Sequence, residues 1–429
     1  MKRSTMKAMI AWKESPDRKP LVLRGARQTG KTWLMKEFGK EQYENTAYFN
    51  FDEEEELKSL FQTTKNPQRL LDLLALLHGT AIKPGKTLII FDEIQECPEA
   101  LNALKYFREQ AGAYHVVAAG SLLGTYLSQY SYPVGQVDLL ELYPLTFAEF
   151  LEASDENLYD IYRRVSKGTV IPDLFHTRFL EAYRTYLIIG GMPECVKSWV
   201  SYKDAGRVAH IQQDILTLYE NDFTKHNSKI DAGRILLVYR SLIPQLSKEN
   251  KKFSYSLVKK GARAREYEEA VEWLVSAGIL HRIHNVSMPG YPLKSYEIAN
   301  HFKLYFLDTG LLKAMGQVEN EAILFDKDFA FKGAMAENFV LQQFLGTLPA
   351  LPHYFSPDSR MEIDFLLQYK TEIIPVEVKA GSMRQAASFR KYIEKYHPVE
   401  AVRYSIRNYK TDGAFTNIPL YLAGRTDLL

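Results

Sequence analysis

Residues 25–32, GARQTGKT, fit the pattern G-x-x-x-x-G-K-[ST] and lie between a predicted strand and a predicted helix, the flanks that a phosphate-binding (Walker A) loop requires. Gly25 and Gly30 let the backbone wrap closely, so that N–H groups along Gly25, Ala26, Arg27, Gln28, Thr29, Gly30, Lys31 and Thr32 cradle phosphate oxygens. Lys31 reaches the β- and γ-phosphates, Thr32 offers a hydroxyl to Mg²⁺, and the following helix points its positive end at the phosphates. Arg27 has two equal readings, a phosphate contact or an ion pair with an acidic neighbour.

A second set completes this chemistry. The apolar stretch TLIIFDE ends in Asp92 and Glu93. Asp92 is placed to hold the Mg²⁺ shell, and Glu93 to orient and deprotonate an attacking water. The adjacent glutamate, with a strand expected between the two motif strands, points to ATP hydrolysis rather than phosphoryl transfer. AAGSLLG puts Ser121 at a strand end, where it senses a γ-phosphate or caps the next helix. Arg108 is a candidate arginine finger, and a solvated helix face explains it equally well.

A third set lies near the other end, in RMEIDFLLQYKTEIIPVEVKAG at 360–381. Period-two alternation aligns Glu362 with Asp364 on one strand and Glu377 with Lys379 on the next. If the strands pair, Asp364, Glu377 and Lys379 converge, with Glu337 on the preceding helix completing the shell. Two carboxylates of this kind bind Mg²⁺ or Mn²⁺, while a lysine orients water and offsets phosphate charge. An alternating surface strand produces the same letters.

The elements that must carry these residues follow a clear order. Through residue 150 the strands PLVLR, TAYFNF, TLIIF, HVVAAG and VDLLEL alternate with amphipathic helical stretches, which argues for a parallel sheet covered on both faces. Residues 151–230 read as a helical lid or linker, interrupted by the turn signal IIGGMPE. Residues 231–318 give three short helices and a hairpin, the order of a winged helix. Residues 319–429 give a helix, the strands HYFS, MEIDFLLQ and EIIPVEVKA, the helix RQAASFRKYIEKY, and the strands EAVRYSI and IPLYLA.

The winged-helix candidate has a basic turn, with Lys248, Lys251, Lys252, Lys259, Lys260, Arg263 and Arg265. Its recognition helix instead carries Glu266, Glu268, Glu269 and Glu272, which repel phosphates. Either the basic turn and wing make non-specific contacts with a nucleic-acid backbone, or the module packs against the other domains, and the second is favoured.

At 429 residues the chain exceeds one ordinary core. Its formal charge of +2 implies no global attraction to nucleic acid or membrane. The two cysteines, Cys97 and Cys195, make no disulfide framework or metal cluster. No stretch reaches the roughly 18 apolar residues of a membrane span, and the N-terminus has no apolar signal core, so a cytoplasmic protein without membrane partners is expected.

GARQTGKT, TLIIFDEIQECPEALNALKYF, AAGSLLG, ELYPLTFAEFL, YLIIGGMPE, KLYFLDTGLL and MEIDFLL…IIPVEVKAG together resemble the prokaryotic AAA-type ATPases with a C-terminal DUF4143 region. The resemblance covers nearly the whole chain. It implies an AAA-like P-loop ATPase domain over 1–150, with Lys31, Thr32, Asp92 and Glu93 as its ATP and Mg²⁺ site. It also implies a C-terminal PD-(D/E)xK nuclease-like fold carrying Glu337, Asp364, Glu377 and Lys379. One departure is Gly135-Gln136, where many members have Gly-Arg before the fifth strand. The expectation is an ATPase coupled to a nuclease-like domain acting on DNA. Its rival is a nucleotide-dependent switch or scaffold that binds protein, another copy of itself, or nucleic acid without cutting.

Overall fold

The computed structural model describes residues 1–121, 123, 135–225, 229–358, 361–381 and 387–429. Leu122 and Gly124 of AAGSLLG, Arg360, and the start of the helix expected from Arg384 lie outside the described residues. The chain divides into two compact units, Lys2–Tyr143 with Ser276–Gly278, and Pro144–Val275 with Ile279–Leu429.

The first unit alternates helices and strands: α1 (Thr5–Glu14), β1 (Leu21–Arg24), α2 (Lys31–Gln42), β2 (Asn45–Asn50), α3 (Glu55–Thr63), α4 (Pro67–His78), β3 (Thr87–Asp92), α5 (Pro98–Gln110), β4 (His115–Ala119) and β5 (Asp138–Glu141). All its pairings are parallel, and the strand order is β2-β3-β4-β1-β5. The expected intervening strand is thus β4, between the loop-bearing β1 and the carboxylate-bearing β3. Every residue of β3 is buried, because both faces are covered. Ile89 and Phe91 enter a core with Phe49, Phe61, Leu101 and Phe107, whereas Leu88 and Ile90 join Met9, Leu34, Met35 and Phe38 on the opposite face. A parallel sheet clad in this way needs near-continuous apolar strands.

The second unit is helical from Phe147 to Val275 and then builds one mixed sheet. Its strands are β6 (Leu280–Val286), β7 (Glu297–Phe306), β8 (His353–Asp358), β9 (Met361–Tyr369), β10 (Glu372–Lys379), β11 (Val402–Ser405), β12 (Lys410–Asp412) and β13 (Phe415–Pro419), in the order β12-β13-β11-β10-β9-β8-β6-β7. The β6–β7 hairpin is therefore part of the C-terminal sheet. It joins β8 through the parallel pair Asn285↔Tyr354. The Asn285 amide extends that junction, donating to Ser356 O at 3.2 Å and accepting from Ser356 N at 2.9 Å.

The strand expected over IPLYLA is displaced. Residues Phe415–Pro419 form β13, and Leu420–Leu422 turn as a 3₁₀ helix. Pro419 has no N–H with which to continue the ladder.

IIGGMPE and KLYFLDTGLL meet in the interior. Gly190, at φ +75°, follows helix Asp173–Ile189, and a Cβ there would lie 2.2 Å from Asp308 Oδ1. The wholly buried Asp308 carboxylate accepts from Gly191 N at 2.6 Å, Leu311 N at 2.9 Å and Gln342 Nε2 at 2.9 Å. These motifs are thus a fold-holding contact, since a buried carboxylate needs such donors. No helix among the described residues is long and apolar enough to cross a membrane.

Candidate functional site

In the first unit the loop between β1 and α2 brings together most of the residues expected to meet phosphate. Gly25 has φ +148°, and an added Cβ would lie 2.2 Å from Leu142 O, so the backbone passes where only glycine fits. Gly30, at φ +91°, begins α2 without a side-chain cap, which leaves the first N–H groups of the helix to an anion. The buried Lys31 ammonium donates to Gly25 O and Ala26 O, both at 2.8 Å. Burial lowers its pKa to about 8 against the pull of Glu93 and Asp92, and Arg27 lowers it further. Thr29 Oγ1 donates to Ala26 O at 2.9 Å.

Asp92 ends β3 and is buried. Its Oδ2 accepts from Thr32 Oγ1 at 2.7 Å and from Tyr48 OH at 2.9 Å. Burial raises its carboxyl above the usual range, and the two hydroxyls work against that shift. Glu93 follows in the left-handed region, at φ 49°. Its carboxylate accepts from Gln95 Nε2 at 2.6 Å and from Ser121 Oγ at 3.2 Å. Ser121 thus touches the glutamate. Arg108 instead donates to Gly135 O at 2.9 Å and Gln136 Oε1 at 2.7 Å, which ties it to the segment that departs from the family pattern.

Three residues here had no sequence signal of their own. Tyr48 reaches Asp92 because β2 and β3 pair with Asn50 opposite Asp92. Gln95 follows Glu93 by two positions in a 3₁₀ turn. Arg3, far upstream, donates to Thr29 O at 3.0 Å and Tyr143 O at 2.6 Å, bracing the loop from outside.

In the second unit the C-terminal acids are drawn together. β9 and β10 pair with Val376 opposite Phe365, and Asp364 Oδ2 accepts from Val378 N at 2.8 Å. Glu377, buried, contacts Lys379 Nζ at 3.2 Å and Arg403 Nε at 2.8 Å. Glu337, on the buried helix Lys332–Leu345, accepts from Lys251 Nζ at 2.8 Å and Tyr305 OH at 3.0 Å. The fully buried Lys303 donates to Glu362 Oε1 at 2.5 Å. Burial would raise the Glu337 carboxyl, but Lys251 and Lys303 hold it below the usual range. Burial and the charge of Glu337 push Asp364 up to about 7.

These carboxylates do not fit a divalent ion. Such an ion needs several free oxygen ligands, and here ammonium, guanidinium, phenol and peptide donors meet both oxygens of Glu337 and Glu377 and one each of Glu362 and Asp364. Among the described residues no three acidic, histidine or cysteine side chains are grouped to hold a metal. Of the basic turn, Lys251 points inward to Glu337, while Lys259, Lys260, Arg263 and Arg265 are exposed.

Models of two families match the chain at its ends: an AAA domain over residues 17–151 and the domain of unknown function DUF4143 over 332–422. The chain thus carries an AAA domain followed by a DUF4143 domain, the pairing that the sequence resembled. A third match, to the domain of unknown function DUF8612, spans residues 180–322. A comparison with curated proteins finds no match. Among solved structures the chain is similar to a Walker-type ATPase of Pyrococcus abyssi, at 16% identity over 73% of this chain and 95% of that one, TM-score 0.46. It is also similar to the Aeropyrum pernix Orc1 protein in complex with DNA, at 12% identity over 73% and 90%, TM-score 0.29. AMPPCP-bound DnaA from Aquifex aeolicus follows at 10% identity over 64% and 89%, TM-score 0.27.

Proposed function

We propose that this chain is a Mg²⁺-dependent ATPase whose hydrolysis cycle works a C-terminal fold that binds without cutting. The observation that carries the ATPase reading is the contact of Thr32 with Asp92 at 2.7 Å, beside a glutamate oriented by Gln95 and Ser121. Hydroxyl and carboxylate oxygens suit a hard cation. Thr32 and Asp92 would hold the Mg²⁺, which would supply charge neutralisation at the phosphate oxygens. Lys31 and the N–H groups of residues 25–32 bind the phosphates and stabilise the charge that develops on them. Glu93 orients a water in line with the γ-phosphate and takes its proton, while Gln95 and Ser121 fix the direction of its carboxylate.

Within this reading nucleotide turnover belongs to residues 1–150, a relay to 151–230 and to the winged-helix-like 231–318, and partner binding to 319–429. Lys31→Ala is expected to abolish ATP hydrolysis while leaving the circular dichroism spectrum unchanged, and turnover at the wild-type rate would sink the assignment.

Two uses of the cycle compete. A DNA-processing enzyme would cut at Asp364 and Glu377, whereas a switch or scaffold would use the nuclease-like fold to bind protein or nucleic acid. The cations seated on Glu337, Glu362 and Glu377 favour the second. Incubation of the wild-type protein with DNA and Mn²⁺ should therefore give no nicks. Nicking that disappears in Asp364→Ala would restore the cutting reading. Turnover stimulated by DNA would identify nucleic acid as the bound partner.

A further inference from the structure

The acidic cluster of the second unit contains four carboxylates, Glu337, Glu362, Asp364 and Glu377, and four cations meet it: Lys251, Lys303, Lys379 and Arg403. Only Lys379 shares a strand with one of the acids, and Arg403 lies on the neighbouring β11; the other two come from further away in the chain. Lys251 lies in the connection between helices Leu242–Leu246 and Tyr255–Val258, and Lys303 lies within β7. Both are removed from water, with side-chain exposures of 13% and 0%.

An ammonium 2.8 Å from a carboxylate oxygen takes the lone pair, and nearly the position, that a divalent ion at about 2.0–2.6 Å would need. Adding a dication would also leave the displaced ammonium buried without its counter-charge, which is costly. Lys303 is enclosed on every side, with the Tyr354 ring 4.8 Å from its ammonium. Lys251, on a connecting segment, is less enclosed than Lys303.

We infer that Lys251 and Lys303 are the resident cations of this cluster, with Lys251 standing on Glu337 where a nuclease would hold its metal and thereby latching the connection between helices Leu242–Leu246 and Tyr255–Val258 to the helix Lys332–Leu345. This rests on the non-cutting reading of the fold given above and deepens it. The cluster is a junction of paired acids and cations, and Lys251 is the plug that keeps divalent ions out.

The test is Mn²⁺ binding to the full chain without nucleotide, read by the loss of the free-ion electron paramagnetic resonance signal. Wild type should show no site that depends on Asp364. Lys251→Gln keeps a donor to Glu337 but loses the charge. It should gain one Mn²⁺ site at least ten times tighter than any in wild type, and Lys251→Gln with Asp364→Asn should lose it again. Lys251→Arg, which retains the cation, should bind none. Asp364-dependent Mn²⁺ binding by wild type, or no gain in folded Lys251→Gln, overturns the inference. Should Lys251→Gln fail to fold, the wild-type and Lys251→Arg titrations decide it. ATP turnover of the same proteins reports on the other site, so the ATPase reading fails separately. Mn²⁺ binding by wild type without DNA cleavage would remove the plug while leaving the non-cutting reading in place.

Discussion

Gln95 has 3% of its surface exposed, and its two amide atoms have different fates. The nitrogen donates to Glu93, while the oxygen is buried with no hydrogen-bond partner among the described residues. Such an orphan costs free energy, so the side chain is held there by what its nitrogen does. Gln95→Leu removes the donor that aims Glu93, and its effect belongs in the chemical step. The expected result is a fall in kcat of roughly tenfold with little change in the KM for ATP. A steady-state titration of ATP checks this, and a rise in KM alone would make Gln95 a binding residue. Lys31, Thr32, Asp92 and Glu93 were legible because each belongs to a short motif with fixed spacing. Gln95 was within sight of that motif but unassigned, and Tyr48 and Arg3 were invisible. Tyr48 depends on which strand lies beside β3, and Arg3 on where the N-terminal segment docks.

Strand alternation correctly placed Asp364 and Glu377 on neighbouring strands, but could not supply their partners. Lys303 is separated from Glu362 by 59 positions, and Lys251 from Glu337 by 86. No local pattern carries such pairings, so a set of acids that looks metal-ready in the sequence is closed by distant lysines in the fold. The energetic consequence is asymmetric. Removing one partner of a buried pair leaves an uncompensated charge, whereas replacing both by apolar groups does not. Glu362→Ala, which strands Lys303, should destabilise the protein by about 3–5 kcal/mol. Lys303→Met combined with Glu362→Leu should cost clearly less. Urea unfolding of the three proteins measures the difference, and equal losses would mean that packing rather than charge dominates there. The 3₁₀ turn after β13 was missed for a related reason, since its apolar letters suit a buried strand and a buried turn alike.

Across the whole molecule, acid should act through buried histidines. His115, 7% exposed on β4, shares a 2.8 Å hydrogen bond with Tyr43. Burial, with Arg18 and Lys13 nearby, lowers its pKa from 6.5 to about 4. Between those values the unfolded chain takes up a proton that the folded chain refuses. The contribution is therefore present in full above pH 6.5 and is lost as the pH falls toward 4. Thermal melts across this range should show a smaller acid-induced drop for His115→Gln than for wild type; parallel curves would place the sensitivity elsewhere. The architecture as a parallel sheet followed by helices and a mixed sheet was legible from periodicity, whereas the continuity of that second sheet was not. The hairpin β6–β7 reads as the end of one module, yet Asn285 stitches it to β8 with a side-chain amide that imitates a peptide group. Anyone trimming the gene is thereby warned. A fragment ending before His353 would strip β6 of β8 and leave that side of the hairpin as an open sheet edge, an invitation to aggregate. The severable unit here is the sheet, and the β6–β7 hairpin goes with it.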